Sequence, residues 1–295
     1  MKQQVTKRVH IVEGIDWKAA IVALLESRSP YRPWRYGFGE ARKGDPVAIV
    51  LHTDPRTVMT ALGSIGTDGR RDRAVVDWSL PAPGLVDLDS LVMLLGLDGD
   101  CDPRDTWVLR GDAALRLEQA LIEANHRRDA AMRFGHSSVA AARVLLRSGG
   151  RCTCCNNLID LTGEDARDSF RIRTVDGPVR DAAEVLIKDE WGASSYVEQG
   201  IPANCWRPTL PADWPGVLCR ACCTRMDEDG CTSLLGFRFS QHPKCPKCGA
   251  QQARAAQFGM PINRDVYVDT PPWVDWQGCC NDGHKWSCAV CTHEW

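Results

Sequence analysis

Along the first third of the chain, apolar positions fall into runs of two kinds. VHIVEG is short and mostly apolar and reads as a strand, whereas DWKAAIVALLESR repeats its apolar residues at helical spacing. ARKGDPVAIVLHTD places a Gly-Asp turn before a continuous apolar run bounded by polar residues, the pattern of a buried strand, and VMTALGSIGTD reads as its neighbour. PAPG at 81–84 predicts a loop. GDAALRLEQALIEANHRR, from Gly111, is the clearest helix, with Asp112 at its start and arginines at its end to suit the dipole. SSVAAARVLLRSGG is a second helix, with Ser137 or Ser138 as its N-cap and a glycine pair as its stop. Beyond it the pattern loosens. Residues 156–218 are polar and punctuated by Gly and Pro, with FRIRTVD the one convincing strand, which predicts a long and partly mobile insertion.

Composition turns this pattern into a domain map. Of 15 cysteines only Cys101 precedes position 152, so the chain divides into a cysteine-poor front and a cysteine-rich rear. The expected organisation is α+β, with a mixed domain over 1–125, a basic helix and zinc module over 126–241, and a compact cysteine- and tryptophan-rich tail over 242–295. A net charge of −2 gives no general attraction to nucleic acid, so any such binding needs a local patch. The stretch 126–151 supplies one, with six arginines, among them Arg128, Arg143 and Arg147, against Asp129 alone. Those three arginines are candidate phosphate contacts. The start lacks the apolar run of about 7 to 15 residues of a signal peptide, and no stretch reaches the roughly 18 apolar residues of a membrane span, which predicts a cytoplasmic protein.

In that compartment paired cysteines bind metal more readily than they form disulfides. Four Cys-x-x-Cys pairs are present: Cys152 with Cys155, Cys219 with Cys222, Cys245 with Cys248, and Cys288 with Cys291. Two such knuckles complete the tetrahedral sulfur shell that Zn²⁺ prefers, so eight ligands make two structural sites. Sequential pairing joins the first two knuckles across 63 residues and the last two across 39. Spacing leaves alternatives open. Cys154 competes with Cys155, and Cys279 or Cys280 with a tail ligand. HPKCPKCGA and WSCAVCTHEW together resemble a zinc ribbon.

LLRSGGRCTCC, FRIRTVD and DWPGVLCRACCTRM together resemble the HNH, or treble-clef ββα-metal, nucleases over about residues 137–228. That resemblance implies a zinc-supported treble clef beside a catalytic Mg²⁺ or Mn²⁺ site, where a strand histidine acts as general base and a helix histidine helps to bind the ion. Here no histidine lies between His136 and His242, so the strand offers Thr174 and Asp176, the helix position is Cys223, and Trp214 stands near the usual Asn. Asp176 and Asp213 are the candidate catalytic residues. In the front domain, the segment from Trp34 to Asp68 is similar to EVE and PUA-like modules, small barrels that grip a flipped or modified base. That likeness implies an aromatic pocket, with Trp34 and Tyr36 as base-stacking candidates.

A modified-base reader joined to an HNH-like module is the layout of modification-dependent restriction endonucleases and related defence factors acting on DNA. The other reading is a non-catalytic zinc protein that binds DNA or RNA, or docks on a protein partner. Whether the chain is an enzyme is left open at this point.

Overall fold

The computed structural model describes residues 7–26, 33–35, 41–66, 74–75, 84–96, 108–126, 134–162, 165–176, 210–259, 270–277 and 283–295. Among them are six helices and three sheets, a mixed α+β architecture. The chain divides into two compact units, one formed by 1–129, 137–173 and 217–220, the other by 130–136, 174–216 and 221–295.

The first unit is built on a seven-stranded sheet. β1 (Arg8–Gly14) runs into α1 (Trp17–Leu25), capped by the Asp16 side chain, and the chain returns as β2 (Pro46–Leu51), parallel to β1. Both strands are buried along almost their whole length, which is why each reads as an unbroken apolar run. β3 (Thr57–Met59) and β4 (Gly63–Ile65) both pair antiparallel with β2. The stretch expected as one neighbouring strand is therefore two short ones. β5 (Ala74–Val75) extends β4, β6 (Leu85–Asp87) pairs with β3, and β7 (Val108–Arg110) lies antiparallel to β1.

On one face Val9, Ile11, Ala48, Val50 and Val58 form a core with α2 (Leu88–Leu95) and α3 (Asp112–His126). α1 packs with α4 (Ser138–Ser148), whose N-cap is Ser137 and whose left-handed stop is Gly149. At the N-terminus of α4 the Ser138 hydroxyl accepts the Asp54 N–H at 2.7 Å. β8 (Phe170–Arg173) pairs with β9 (Gly216–Cys219) in a two-stranded sheet. The expected insertion falls largely on 177–209, outside the described residues.

Gly14 ends β1 where α1 comes closest. A Cβ there would lie 2.4 Å from the Ala20 Cβ and 3.5 Å from the Trp34 ring. No real contact of that kind is tolerated, so only glycine lets the helix and the ring close over the strand end.

In the second unit α5 (Arg220–Glu228) leads to α6 (Leu234–Ser240), which buries Leu234, Leu235, Phe237 and Phe239. Trp214 meets Phe134 and Trp273 edge to face, with centroids 5.6 and 6.5 Å apart, and Arg238 lies over the Trp273 ring. β10 (Ala253–Gln257) is flanked by β11 (Val274–Trp276), parallel, and β12 (Trp286–Cys288), antiparallel. No helix among the described residues is long and apolar enough to cross a membrane.

Gly14→Ala is expected to destabilise the protein by about 1–3 kcal/mol, the usual range for forcing an atom into a filled core, measured by denaturant titration. An unchanged midpoint would show that α1 shifts away freely.

Candidate metal centres

Three of the four knuckles share one backbone turn. In each, the N–H of the residue after the second cysteine donates to the carbonyl of the first, from Asn156 to Cys152, Gly249 to Cys245 and Thr292 to Cys288. The N–H of each first cysteine donates to the carbonyl five residues on, at Asn157, Ala250 and His293. Such a turn needs a left-handed residue after the second cysteine, and Asn156, Gly249 and Thr292 all take it, with φ of 60°, 72° and 59°. Asn and Gly adopt this conformation cheaply, and the β-branched Thr292 does so at a cost. The knuckle at 219–222 is built differently, at the junction where β9 ends and α5 begins.

The sulfurs meet in two groups. Cys152, Cys155, Cys219 and Cys222 form one, and Cys245, Cys248, Cys288 and Cys291 the other, with the ligand atoms of each group within 4.8 Å of one another. This is the sequential pairing, and Cys155, not Cys154, is the member of the first group. The pair distances test which species fits. Cys155 and Cys219 sulfurs lie 3.9 Å apart, and the Cys245–Cys291 and Cys248–Cys288 pairs 3.6 Å apart. Zn–S bonds of about 2.3 Å at tetrahedral angles put sulfurs about 3.8 Å apart, whereas a disulfide needs about 2.05 Å. All eight cysteines are free thiols, so each group could hold one Zn²⁺.

Backbone amides favour the thiolate form. Cys219 N–H points at Cys152 Sγ at 3.4 Å, and the N–H groups of Val290 and Cys291 point at Cys288 Sγ at 3.4 and 3.5 Å. Burial opposes ionisation of Cys152, but hydrogen bonds from the Cys155, Cys219 and Cys154 backbone outweigh it and hold the thiol below its ordinary value. Burial likewise opposes ionisation of Cys245, and the Cys248 and Lys247 amides with the Cys248 and Cys291 thiols bring it down to about 7. At Cys248 the Ala250 amide pulls downward, but the neighbouring sulfurs prevail and push it up to about 12. Without metal, one thiol of the group ionises at the expense of the next. Zn²⁺ removes that competition because it stabilises every thiolate at once.

The remaining cysteines and histidines lie outside both groups. Cys154 is buried, Cys223 half-buried, and Cys231 Sγ faces the Asp229 carbonyl. His242 Nδ1 donates to the Ala253 carbonyl at 2.6 Å beside Trp286, and burial lowers its pKa. His284 sits on Phe258 and His293 stacks on Trp295. Cys279 and Cys280 fall outside the described residues.

The other predicted site residues are scattered. Asp176 is 92% exposed, and its Oδ1 lies 3.3 Å from His136 Nε2, while His136 Nδ1 is 3.0 Å from the Thr174 hydroxyl. Asp213 turns its Oδ1 to the N–H groups of Trp214 and Leu235, at 2.8 and 3.1 Å. Trp34 is half-buried and bridged to Gly14. Arg143, expected to contact phosphate, is instead buried and donates to the Leu85 carbonyl at 2.6 Å. Its helix packs that face inward, so it holds the fold together. Arg147 is half-buried near the end of α4, and Tyr36 and Arg128 lie outside the described residues.

One cluster was absent from the sequence reading. Glu13, with a side chain only 4% exposed, has Arg35, His52 and Arg56 at 3.3, 3.4 and 3.7 Å. Its members come from three separate segments, and the only advance signal was an acid inside an otherwise apolar strand.

Comparison with family models, with curated proteins and with solved structures finds no match to this chain.

Elemental analysis is expected to return two zinc ions per chain, falling to one in Cys155→Ser and one in Cys248→Ser. A count unchanged by either variant would contradict the grouping. Because Cys248 keeps its proton until metal arrives, loading should release protons and zinc affinity should fall as pH falls, both measurable with an indicator dye.

Proposed function

We propose that this chain is a zinc-stabilised nucleic-acid-binding protein and that its HNH-like module makes it a DNA endonuclease of the modification-dependent restriction type, a defence factor. The observation that carries the reading is the meeting of His136 with Thr174 and Asp176. The strand that lacks its histidine receives one from the segment before α4. The strand–helix knuckle at 219–222, following β8 and β9, supports a treble clef, and the three-stranded sheet with its two knuckle turns supports a zinc ribbon. In the first unit, Trp34 against Gly14 supplies a flat face for a base, in keeping with the EVE and PUA-like resemblance. DNA, plain or modified, is the partner of this reading, and the cytoplasm its location.

His136, Thr174 and Asp176 form a reasonable base assembly. The Thr174 hydroxyl fixes the ring through Nδ1, and Nε2 is then the nitrogen that takes a proton from an attacking water. Asp176 is almost fully exposed, so little packing opposes its turning away to leave Nε2 open. A bound Mg²⁺ or Mn²⁺ would neutralise charge at the scissile phosphate. Asp176 and His136 are the donors at hand, and such ions complete their shells with water and substrate oxygens.

A second reading, a non-catalytic zinc protein that binds DNA, RNA or a protein partner, is favoured by Asp213. Its carboxylate is used on two backbone amides, and the helix position of the family's metal-binding histidine is Cys223.

The test is cleavage of plain, methylated and hydroxymethylated DNA by the zinc-loaded protein with Mg²⁺ or Mn²⁺. Cutting is expected to require the added ion and to fall by about 10²-fold or more in His136→Ala and Asp176→Asn, with zinc content unchanged. Binding without cutting under all conditions would decide for the second reading.

A further inference from the structure

We propose that Arg35, His52 and Arg56 form an anion clasp that takes a phosphate group, held in place by the buried carboxylate of Glu13. Resting on the nucleic-acid reading above, that phosphate belongs to a bound strand.

The geometry begins with the parallel pair. Glu13 sits next to the C-terminal end of β1, opposite Val50 of β2, at the carboxyl edge where parallel strands commonly present ligand-binding groups. Two connections leave that edge: the one from β1 to β2 contributes Arg35, and the one from β2 to β3 contributes His52 and Arg56. Arg35 follows the Trp34 bridge to Gly14, and its N–H donates to the Glu13 carbonyl at 2.9 Å. His52 directly follows β2, and its N–H donates to the Gly14 carbonyl at 3.1 Å. Arg56 directly precedes β3. The bases of all three are fixed by the sheet.

Their tips are arranged differently. Glu13 is nearly inaccessible, yet the side chains of Arg35, His52 and Arg56 are 57%, 26% and 43% exposed. A buried carboxylate needs compensation, but one close bidentate arginine would provide it. Here three groups share it at 3.3 to 3.7 Å, none in a tight fork. The carboxylate therefore acts as a pivot that keeps two guanidiniums and an imidazole together while their outer sides face water. Pre-ordered side chains lose less entropy when a ligand arrives, and a guanidinium matches phosphate oxygens well. Asp54, exposed on the turn between His52 and Arg56, opposes an anion and sets a limit on affinity. The ring of Trp34 borders Gly14, so a nucleotide could rest its base on the ring and its phosphate in the clasp.

The full-length, zinc-loaded protein is titrated with a labelled short DNA strand across a KCl series, and separately with inorganic phosphate and dCMP followed by ³¹P NMR. In Arg35→Gln/Arg56→Gln, strand affinity at low salt is expected to fall about tenfold and the log–log salt slope to flatten by about 1, with circular dichroism and zinc content unchanged. Asp54→Asn should tighten binding. If the double variant does not fold, Arg56→Gln alone, which alters the longest contact, should weaken binding about threefold. A folded variant with unchanged affinity and slope overturns the clasp while leaving nucleic-acid binding intact. If the wild type binds phosphate or dCMP but no strand, and the variant loses this, the clasp stands with a free phosphate ligand and the nucleic-acid reading fails. No binding of any of these probes overturns both.

Discussion

Four sulfurs brought within 4.8 Å of one another make an arrangement that protein contacts alone would not favour. The thiols compete for protons through the hydrogen bonds between them, which leave Cys245 at about 7 and Cys248 at about 12. Within each group buried and exposed sulfurs are mixed: Cys152, Cys222, Cys245 and Cys288 are buried, whereas Cys155 and Cys248 are exposed. Each group is therefore a charge problem that one divalent ion could resolve. Attached to the knuckles are the β9–α5 junction in one case, and the β10 and β12 edges in the other.

The front half obeys a different constraint. Its central strands are buried on both faces, so what matters at their ends is how closely neighbours can approach. Gly14 permits α1 and Trp34 to close over β1, and the same strand end buries the Glu13 carboxylate. Tight packing and a concentration of charge thus occur one residue apart. Positions where a chain tolerates a buried acid next to an obligatory glycine are expensive, and they commonly serve a purpose beyond stability.

How much of this was legible in the sequence follows from the range of each signal. The cysteine pairs announce themselves because both members of a knuckle sit within four residues, and the helix over Ser138–Ser148 was readable from its serine cap and glycine stop. α2 was not anticipated, although Leu88, Leu91, Val92 and Leu95 recur at helical spacing, because its eight residues are fewer than the stretch over which such a period is read. The shared left-handed residue after the second cysteine was hidden by its variety, being Asn, Gly and Thr in turn. Arg143 belonged to a basic stretch and was expected to contact phosphate, but its helix phase turns it inward to Leu85. The approach of His136 to Asp176 and the gathering around Glu13 join residues that local pattern cannot connect. Such contacts depend on how segments return to the same place, and no spacing rule reports that.

The order in which a ribosome delivers the ligands gives the first sulfur group a further property. Cys152 and Cys155 emerge well before Cys219 and Cys222, with 63 residues between the knuckles. Throughout that interval only two of the four ligand thiols are present, half a coordination shell, with Cys154 and later Cys205 as further free thiols nearby in sequence. A nascent chain in this condition is open to oxidation and to capture by other soft metals, so loading this group with zinc would depend on the cell's reducing power and zinc supply while synthesis is still under way.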